Sequence, residues 1–263
     1  MSSERNVHPE YDELWRSVLT GGHRSRLSFL PSSRRCIGCL EPLSGIGGQV
    51  LRIIGHRPSR KNPNLCYLCD TGLPLGGAEV DIGVLFADVR NSTALGERLG
   101  PKAFAQTMDR FYRLATNVLL QHNALIDKMI GDEVMALFIP SVCKGDHRRF
   151  AVESALHLAR AIEESGGSDT RLAVGIGVHA GPAYVGKFGR ADVPDFTALG
   201  DTVNTAARIQ GEAREGEIAF SDDLHSTFAI HFAGAVPRRL QLKGKEETTT
   251  VWISGPHASR EAL

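Results

Sequence analysis

The sequence predicts an α+β fold, a ferredoxin-like βαββαβ domain preceded by a small helical module with four cysteines. Three observations carry this. From residue 79 onward, strand-like apolar runs alternate with helical periodicity in the order strand, helix, two strands, helix, strand. Residues 128–138 read as two paired strands with Gly131-Asp132 at the tip. Before all of this stand two C-x-x-C units, Cys36-Ile37-Gly38-Cys39 and Cys66-Tyr67-Leu68-Cys69. Thr71-Gly72-Leu73-Pro74-Leu75-Gly76-Gly77 is turn-rich and marks the boundary. The expected organisation is residues 1–77 for the module, 78–255 for the main domain and 256–263 for a tail.

With 263 residues the chain is long enough for one full domain and a smaller one. An apolar content of 42% and a charged content of 23% are those of an ordinary globular protein. The formal net charge is zero, so bulk electrostatics call for neither nucleic acid nor an anionic membrane as partner. No apolar run approaches the ~18–20 residues that span a bilayer, and the N-terminus lacks the apolar core of a signal peptide. The expectation is a cytoplasmic protein whose thiols stay reduced.

In chain order, residues 9–19 read as an amphipathic helix with Tyr11, Leu14, Trp15 and Val18 on one face, ended by Gly21-Gly22. The two C-x-x-C units then offer four soft ligands, Cys36, Cys39, Cys66 and Cys69. Zinc is the default occupant of such spacing. The loops are apolar, however (Ile37, Leu40, Leu43, Tyr67, Leu68), and residues 45–55 are glycine-rich. A dry shell of that kind leans toward an iron–sulfur cluster, [4Fe-4S], over Zn²⁺. His56 is a possible substitute ligand or a surface residue, and Cys143 reads as a buried filler.

The main domain continues with a strand over 79–89, a long helix over about 97–121, and strands at about 124–130 and 133–139. A helix follows over about 146–164, then a strand over 171–180 that Gly181-Pro182 turns into residues 183–187. A helix over about 201–213 and three short strands ending near 253 complete it.

Two acids interrupt these apolar runs. Asp88 lies in Phe86-Ala87-Asp88-Val89, and Asp132 follows Lys128-Met129-Ile130-Gly131. An acid inside core-like sequence is costly unless paired or bound to a cation, and two on neighbouring strands suit hard divalent cations. Together with Leu199-Gly200-Asp201-Thr202-Val203-Asn204-Thr205-Ala206-Ala207-Arg208, these motifs resemble, in order and spacing, the signatures of class III nucleotidyl cyclases. The resemblance covers roughly residues 79–254.

The resemblance implies that Asp88, Asp132 and the carbonyl of Val89 hold two Mg²⁺ or Mn²⁺ ions. It implies that the amides following Asn91-Ser92-Thr93 cradle the triphosphate, that Asn204 orients the ribose, and that Arg208 stabilises charge at the α-phosphate. Lys245 would bind the terminal phosphates. Lys128 and Thr197 stand at the base-reading positions; Lys128 favours adenine, while many members carry Asp where this chain has Thr197. The implied activity is an adenylate cyclase, a phosphorus–oxygen lyase acting on ATP in a head-to-tail homodimer, with the cysteine module stabilising or regulating it. The alternatives are a guanylate cyclase and a degenerate nucleotide-binding regulator. A nucleic-acid-binding ribbon is disfavoured, since Arg57, Arg60 and Lys61 have no aromatic platform beside them.

Overall fold

The computed structural model describes residues 11–21, 26–32, 34–53, 56–59, 64–165, 172–190, 193–228, 234–241 and 248–255. Three short helices come first: α1 (Asp12–Thr20), α2 (Gly45–Ile53) and α3 (Tyr67–Gly72). Then follow β1 (Gly76–Val89), α4 (Ser92–Gln121), β2 (Leu125–Ile130), β3 (Glu133–Phe138), α5 (Pro140–Cys143), α6 (His147–Ser165) and β4 (Val174–Arg190). The chain ends with β5 (Val193–Leu199), α7 (Asp201–Gly211), β6 (Ile218–Ser221), α8 (Asp222–Phe228), β7 (Val236–Leu240) and β8 (Thr249–Ser254). No helix among the described residues is long and apolar enough to cross a membrane.

The chain divides into two compact units. One comprises Gly83–Phe138, Arg148–Ala180 and Asp201–Leu263. Its strands run in the order β2-β3-β1-β4-β6-β8-β7. The first four in that order are the antiparallel ferredoxin-like arrangement expected from the sequence. β1 pairs with β3 from Gly83↔Phe138 to Asp88↔Glu133, and β4 meets β6 in parallel from Ile176↔Ile218 to Val178↔Phe220. Val84, Leu85, Ala87, Ala136, Leu137 and Phe138 are buried along β1 and β3, which gives the continuous apolar runs seen in sequence. Helix α4 adds Phe111, Ala115 and Leu119 to the core. Helix α7 lies so close to β4 that a Cβ on Gly177 would sit 2.4 Å from the Gln210 backbone.

The other unit comprises Met1–Ile82, Ile139–His147 and Gly181–Gly200. Trp15 of α1 is fully buried, with its ring 6.1 Å from that of Phe196 on β5. The Tyr184 hydroxyl donates to Asp12 at 3.2 Å, and His147 Nε2 pairs with Asp81 at 2.9 Å.

Several expectations need correction. β4 runs unbroken through Gly181-Pro182, because Pro182 is exposed and its fixed φ fits an extended strand. β5 went unforeseen: it pairs with β4 from Tyr184↔Leu199 to Arg190↔Val193, and its Pro194-Asp195 opening mimics a loop. α4 begins at Ser92 and absorbs a kink at Gly100, whose φ is 74°, ahead of Pro101. On α1, Leu14 is exposed and Leu19 is buried in its place. The acid-led turn of α8 was not expected either.

Candidate functional site

Asp88 stands at the end of β1, opposite Glu133 on β3. Asp132 occupies the β2–β3 turn beside Gly131, whose φ of 64° is a left-handed conformation that glycine adopts freely. The Val89 amide donates to the Asp132 carbonyl at 3.1 Å, so the turn is sewn to the end of β1. The Tyr112 hydroxyl donates to the Gly131 carbonyl from α4. Asp88, Val89 and Asp132 are therefore brought together at one end of β1.

The electrostatics are those of an acidic cluster short of a counter-ion. Burial pushes the Asp88 carboxyl up, Arg90 pulls it down, and Asp132 pushes it up again. Burial also raises Glu133, with Asp88 and Asp132 adding to the effect. Partly dehydrated carboxylates that oppose one another's ionisation fit a divalent cation, whose charge favours their ionised forms. Arg90 gives only partial relief. Its Nη2 lies 3.3 Å from Asp88 Oδ1 and donates to the Gln210 carbonyl of α7 at 3.2 Å.

Asn91 takes a left-handed conformation (φ 56°) before α4, and its side chain makes no capping bond to that helix. Ser92 and Thr93 form the first turn. Asn204 and Arg208 lie one turn apart on α7, Asn204 exposed and Arg208 half-buried. Lys128 sits on β2 with its ammonium 3.5 Å from Asp127, next to a break in the β2–β3 register. Thr197 lies on β5 opposite Gly186 and is 9% exposed, within the other unit. Lys245 falls outside the described residues. Arg90, Glu133 and Tyr112 were missed by sequence reasoning. Only Glu133, adjacent to Asp132, offered a signal.

The four cysteines converge, with all their sulfurs within 4.8 Å of one another. Cys39 Sγ and Cys66 Sγ are 3.8 Å apart. The Cys66 amide donates to Cys36 Sγ at 3.2 Å, and the Cys69 amide to Cys66 Sγ at 3.4 Å. Sulfur–sulfur hydrogen bonds hold Cys36 and Cys66 toward the thiolate, and push Cys39 and Cys69 toward the thiol. Gly38 is required here, since a Cβ would lie 2.7 Å from Cys69 Sγ. Ile37, Leu40 and Leu43 are buried around the centre, whereas Tyr67 and Leu68 point to solvent. The glycines of α2 pack elsewhere: Gly47 against Pro31 and Pro42, Gly48 against Leu43. His56 Nδ1 pairs with the buried Glu41 and does not join the sulfurs. Burial pushes the Cys143 thiol up to about 12, consistent with a filler.

Residues 78–255 match the family described as adenylate and guanylate cyclase catalytic domain. An adenylate cyclase of Anabaena cylindrica is 23% identical over 204 residues, 68% of this chain and 39% of that protein. The chain thus spans well under half the length of that relative. Among solved structures, the guanylyl cyclase Cya2 superposes with a TM-score of 0.62 at 23% identity, covering 67% of this chain and 92% of that one. The adenylyl cyclase CyaB from P. aeruginosa gives a TM-score of 0.62 at 24% identity, covering 70% and 97%.

Proposed function

The chain belongs to the adenylate and guanylate cyclase catalytic domain family, and from that footing we propose that it is an adenylate cyclase converting ATP to 3′,5′-cyclic AMP and pyrophosphate. The observation that carries this reading is the pairing of Asp88 and Asp132 through the Val89 amide at 3.1 Å. Asp88, Asp132 and the Val89 carbonyl would hold two Mg²⁺ or Mn²⁺ ions. When bound, these supply Lewis acidity toward the 3′-hydroxyl and neutralise the triphosphate.

The remaining work falls to the chain. The ribose 3′-oxygen bonds to the α-phosphorus, the bond to the bridging β-phosphate oxygen breaks, and pyrophosphate leaves; the hydroxyl proton passes to solvent. The amides of Ser92 and Thr93 after Asn91 face the phosphates. Asn204 orients the ribose, and Arg208 offsets charge growing on the α-phosphate oxygens. Lys245 reaches the terminal phosphates. Lys128 and Thr197 read the adenine edge, with Lys128 favouring ATP over GTP.

One chain carries both the metal ligands and the Asn204/Arg208 pair, which supports a head-to-tail homodimer with two equivalent sites shared between protomers. We place the catalytic domain at residues 78–255 and the cysteine module at 1–77, in a cytoplasmic protein that needs neither membrane nor nucleic acid. For the module we propose a single Zn²⁺. Four sulfurs about 2.3 Å from one ion lie roughly 3.8 Å apart, which is the spacing of Cys39 and Cys66. An iron–sulfur cluster, with each sulfur on a different iron, needs a wider set.

The test uses protein purified without oxygen, given ATP or GTP with Mg²⁺ or Mn²⁺. Cyclic AMP that disappears in Asp88→Ala supports the reading. Faster turnover of GTP would make it a guanylate cyclase, and no product from a folded dimer would make it a nucleotide-binding regulator. Zinc content near one per chain without visible absorbance supports the single ion; a brown chromophore overturns it.

A further inference from the structure

We propose that Lys187 is a positioning residue that ties the cysteine centre to the base-reading strand, so that metal occupancy sets nucleotide affinity and base choice. This rests on the readings of the four cysteines as a metal centre and of Thr197 as a base-reading residue.

The argument starts at α3. This helix has six residues and none of them is buried. A helix so short is not stable by itself, and no apolar face holds it in place. Tyr67, Asp70 and Thr71 border a cavity of about 860 Å³, which leaves room on that flank. The Tyr67 amide donates to the Arg57 carbonyl at 2.8 Å and the Ser59 hydroxyl donates to the Asp70 carboxylate; the remaining ties are at the two ends of the helix. At the front, Cys66 is the N-cap, its sulfur accepting from the Cys69 amide, and both residues belong to the four-sulfur cluster. At the back, the Lys187 ammonium donates to the Asp70 carbonyl and, at 3.1 Å, to the Leu73 carbonyl. These carbonyls lie at the helix C-terminus, where the backbone dipole favours a cation.

Lys187 is 5% exposed. A buried ammonium is tolerated only while acceptors surround it, and α3 supplies two of them, so a displacement of α3 is felt at Lys187. The same residue is embedded in the β4–β5 ladder, opposite Phe196, and the next pair is Gly186↔Thr197. Phe196 is in turn fixed against Trp15. The four cysteines, α3, Lys187 and Thr197 all lie in one compact unit. When the sulfurs lose their ion they repel or separate, the front of α3 is released, and Lys187 loses its carbonyls. The ladder position that presents Thr197 shifts with it. Asp88, Asp132, Asn204 and Arg208 are not on this route, so the effect falls on base binding more than on turnover.

The test uses the full chain with its metal content measured by emission spectrometry. KM and kcat for ATP and GTP are determined for wild type, Lys187→Met and Lys187→Arg, before and after chelation under reducing conditions. In wild type, metal removal is expected to raise KM for ATP about ten-fold and narrow the ATP-to-GTP preference, with kcat changed less. Lys187→Met should show the raised KM while still holding its metal, and respond no further to chelation; Lys187→Arg should restore the response. A wild-type response retained in Lys187→Met overturns the coupling and leaves the metal centre standing. A wild type that binds metal but is indifferent to its loss likewise overturns the coupling, whereas a wild type that binds no metal overturns the reading of the cysteines beneath it. Hydrogen exchange of the wild type alone gives an independent arm: metal removal must deprotect β5 as well as α3, and unchanged β5 protection overturns the proposal.

Discussion

The Val89 amide reaches the Asp132 carbonyl at 3.1 Å, fixing the two acidic positions of the site by backbone rather than by side chains. Changing either carboxylate therefore leaves this link in place, and the chemistry can be tested apart from the fold.

Asp88→Asn should lower cyclic nucleotide formation by about a thousand-fold or more, as loss of a metal ligand does. It should not destabilise the metal-free protein. Burial and Asp132 raise the Asp88 pKa above its unfolded value, so the folded state holds that proton more tightly than the unfolded chain. Stability is then lost as pH rises through the carboxylate range. The amide removes this loss, and urea midpoints at pH 7 without metal should be equal to wild type or higher.

Arg90 spans from Asp88 to the Gln210 carbonyl on α7, the helix that bears Asn204 and Arg208. A single nitrogen, Nη2, makes both contacts, and Lys keeps the charge but lacks the rigid planar group that holds that nitrogen between the two acceptors. Arg90→Lys should reduce kcat about ten-fold with little change in Tm. Steady-state kinetics beside a melting curve would decide it.

Gly177→Ala places a methyl group 2.4 Å from the Gln210 backbone, which cannot move aside as a side chain can. The cost should be about 3 kcal/mol, seen as a Tm lower by roughly 6–12 °C. Gly211→Ala, whose Cβ meets nothing within 4 Å, should be nearly neutral.

His157 Nδ1 lies 2.6 Å from His122 Nε2, and His122 Nδ1 faces the Val118 carbonyl at 3.0 Å. Burial first, then His122 and Arg160, lowers the His157 pKa, with Glu153 opposing. The folded state thus holds fewer protons than the unfolded chain near pH 6. Stability should be full above the unfolded value of about 6.5 and decline as pH falls below it. His157→Gln should flatten that decline in urea midpoints taken between pH 5.5 and 7.5.

The ferredoxin-like core was legible because β1 and β3 are buried on both faces and leave uninterrupted apolar runs, within which Asp88 stands out. The four cysteines were legible because ligand spacing is local. What escaped was tertiary. β5 buries Phe196, Thr197 and Ala198 in succession, which hides the period of two, and Pro182 reads as a turn although the strand carries it through. The link from Arg90 to α7 and the role of Lys187 gave no signal, since the partners, Gln210 and the carbonyls of α3, lie more than a hundred residues away.

Trp15 packing on Phe196 has a further consequence, for evolution and for expression work. The family match begins at residue 78, yet a segment long before it supplies a wall for a strand long after it. Helix α1 is therefore part of the packing of that strand. A gene trimmed to the matched span would leave Phe196 without Trp15 and Tyr184 without Asp12, and its product should melt at a lower temperature than the whole chain. By the same logic, the cysteine segment can be transplanted onto a related domain only together with a hairpin that bears matching residues.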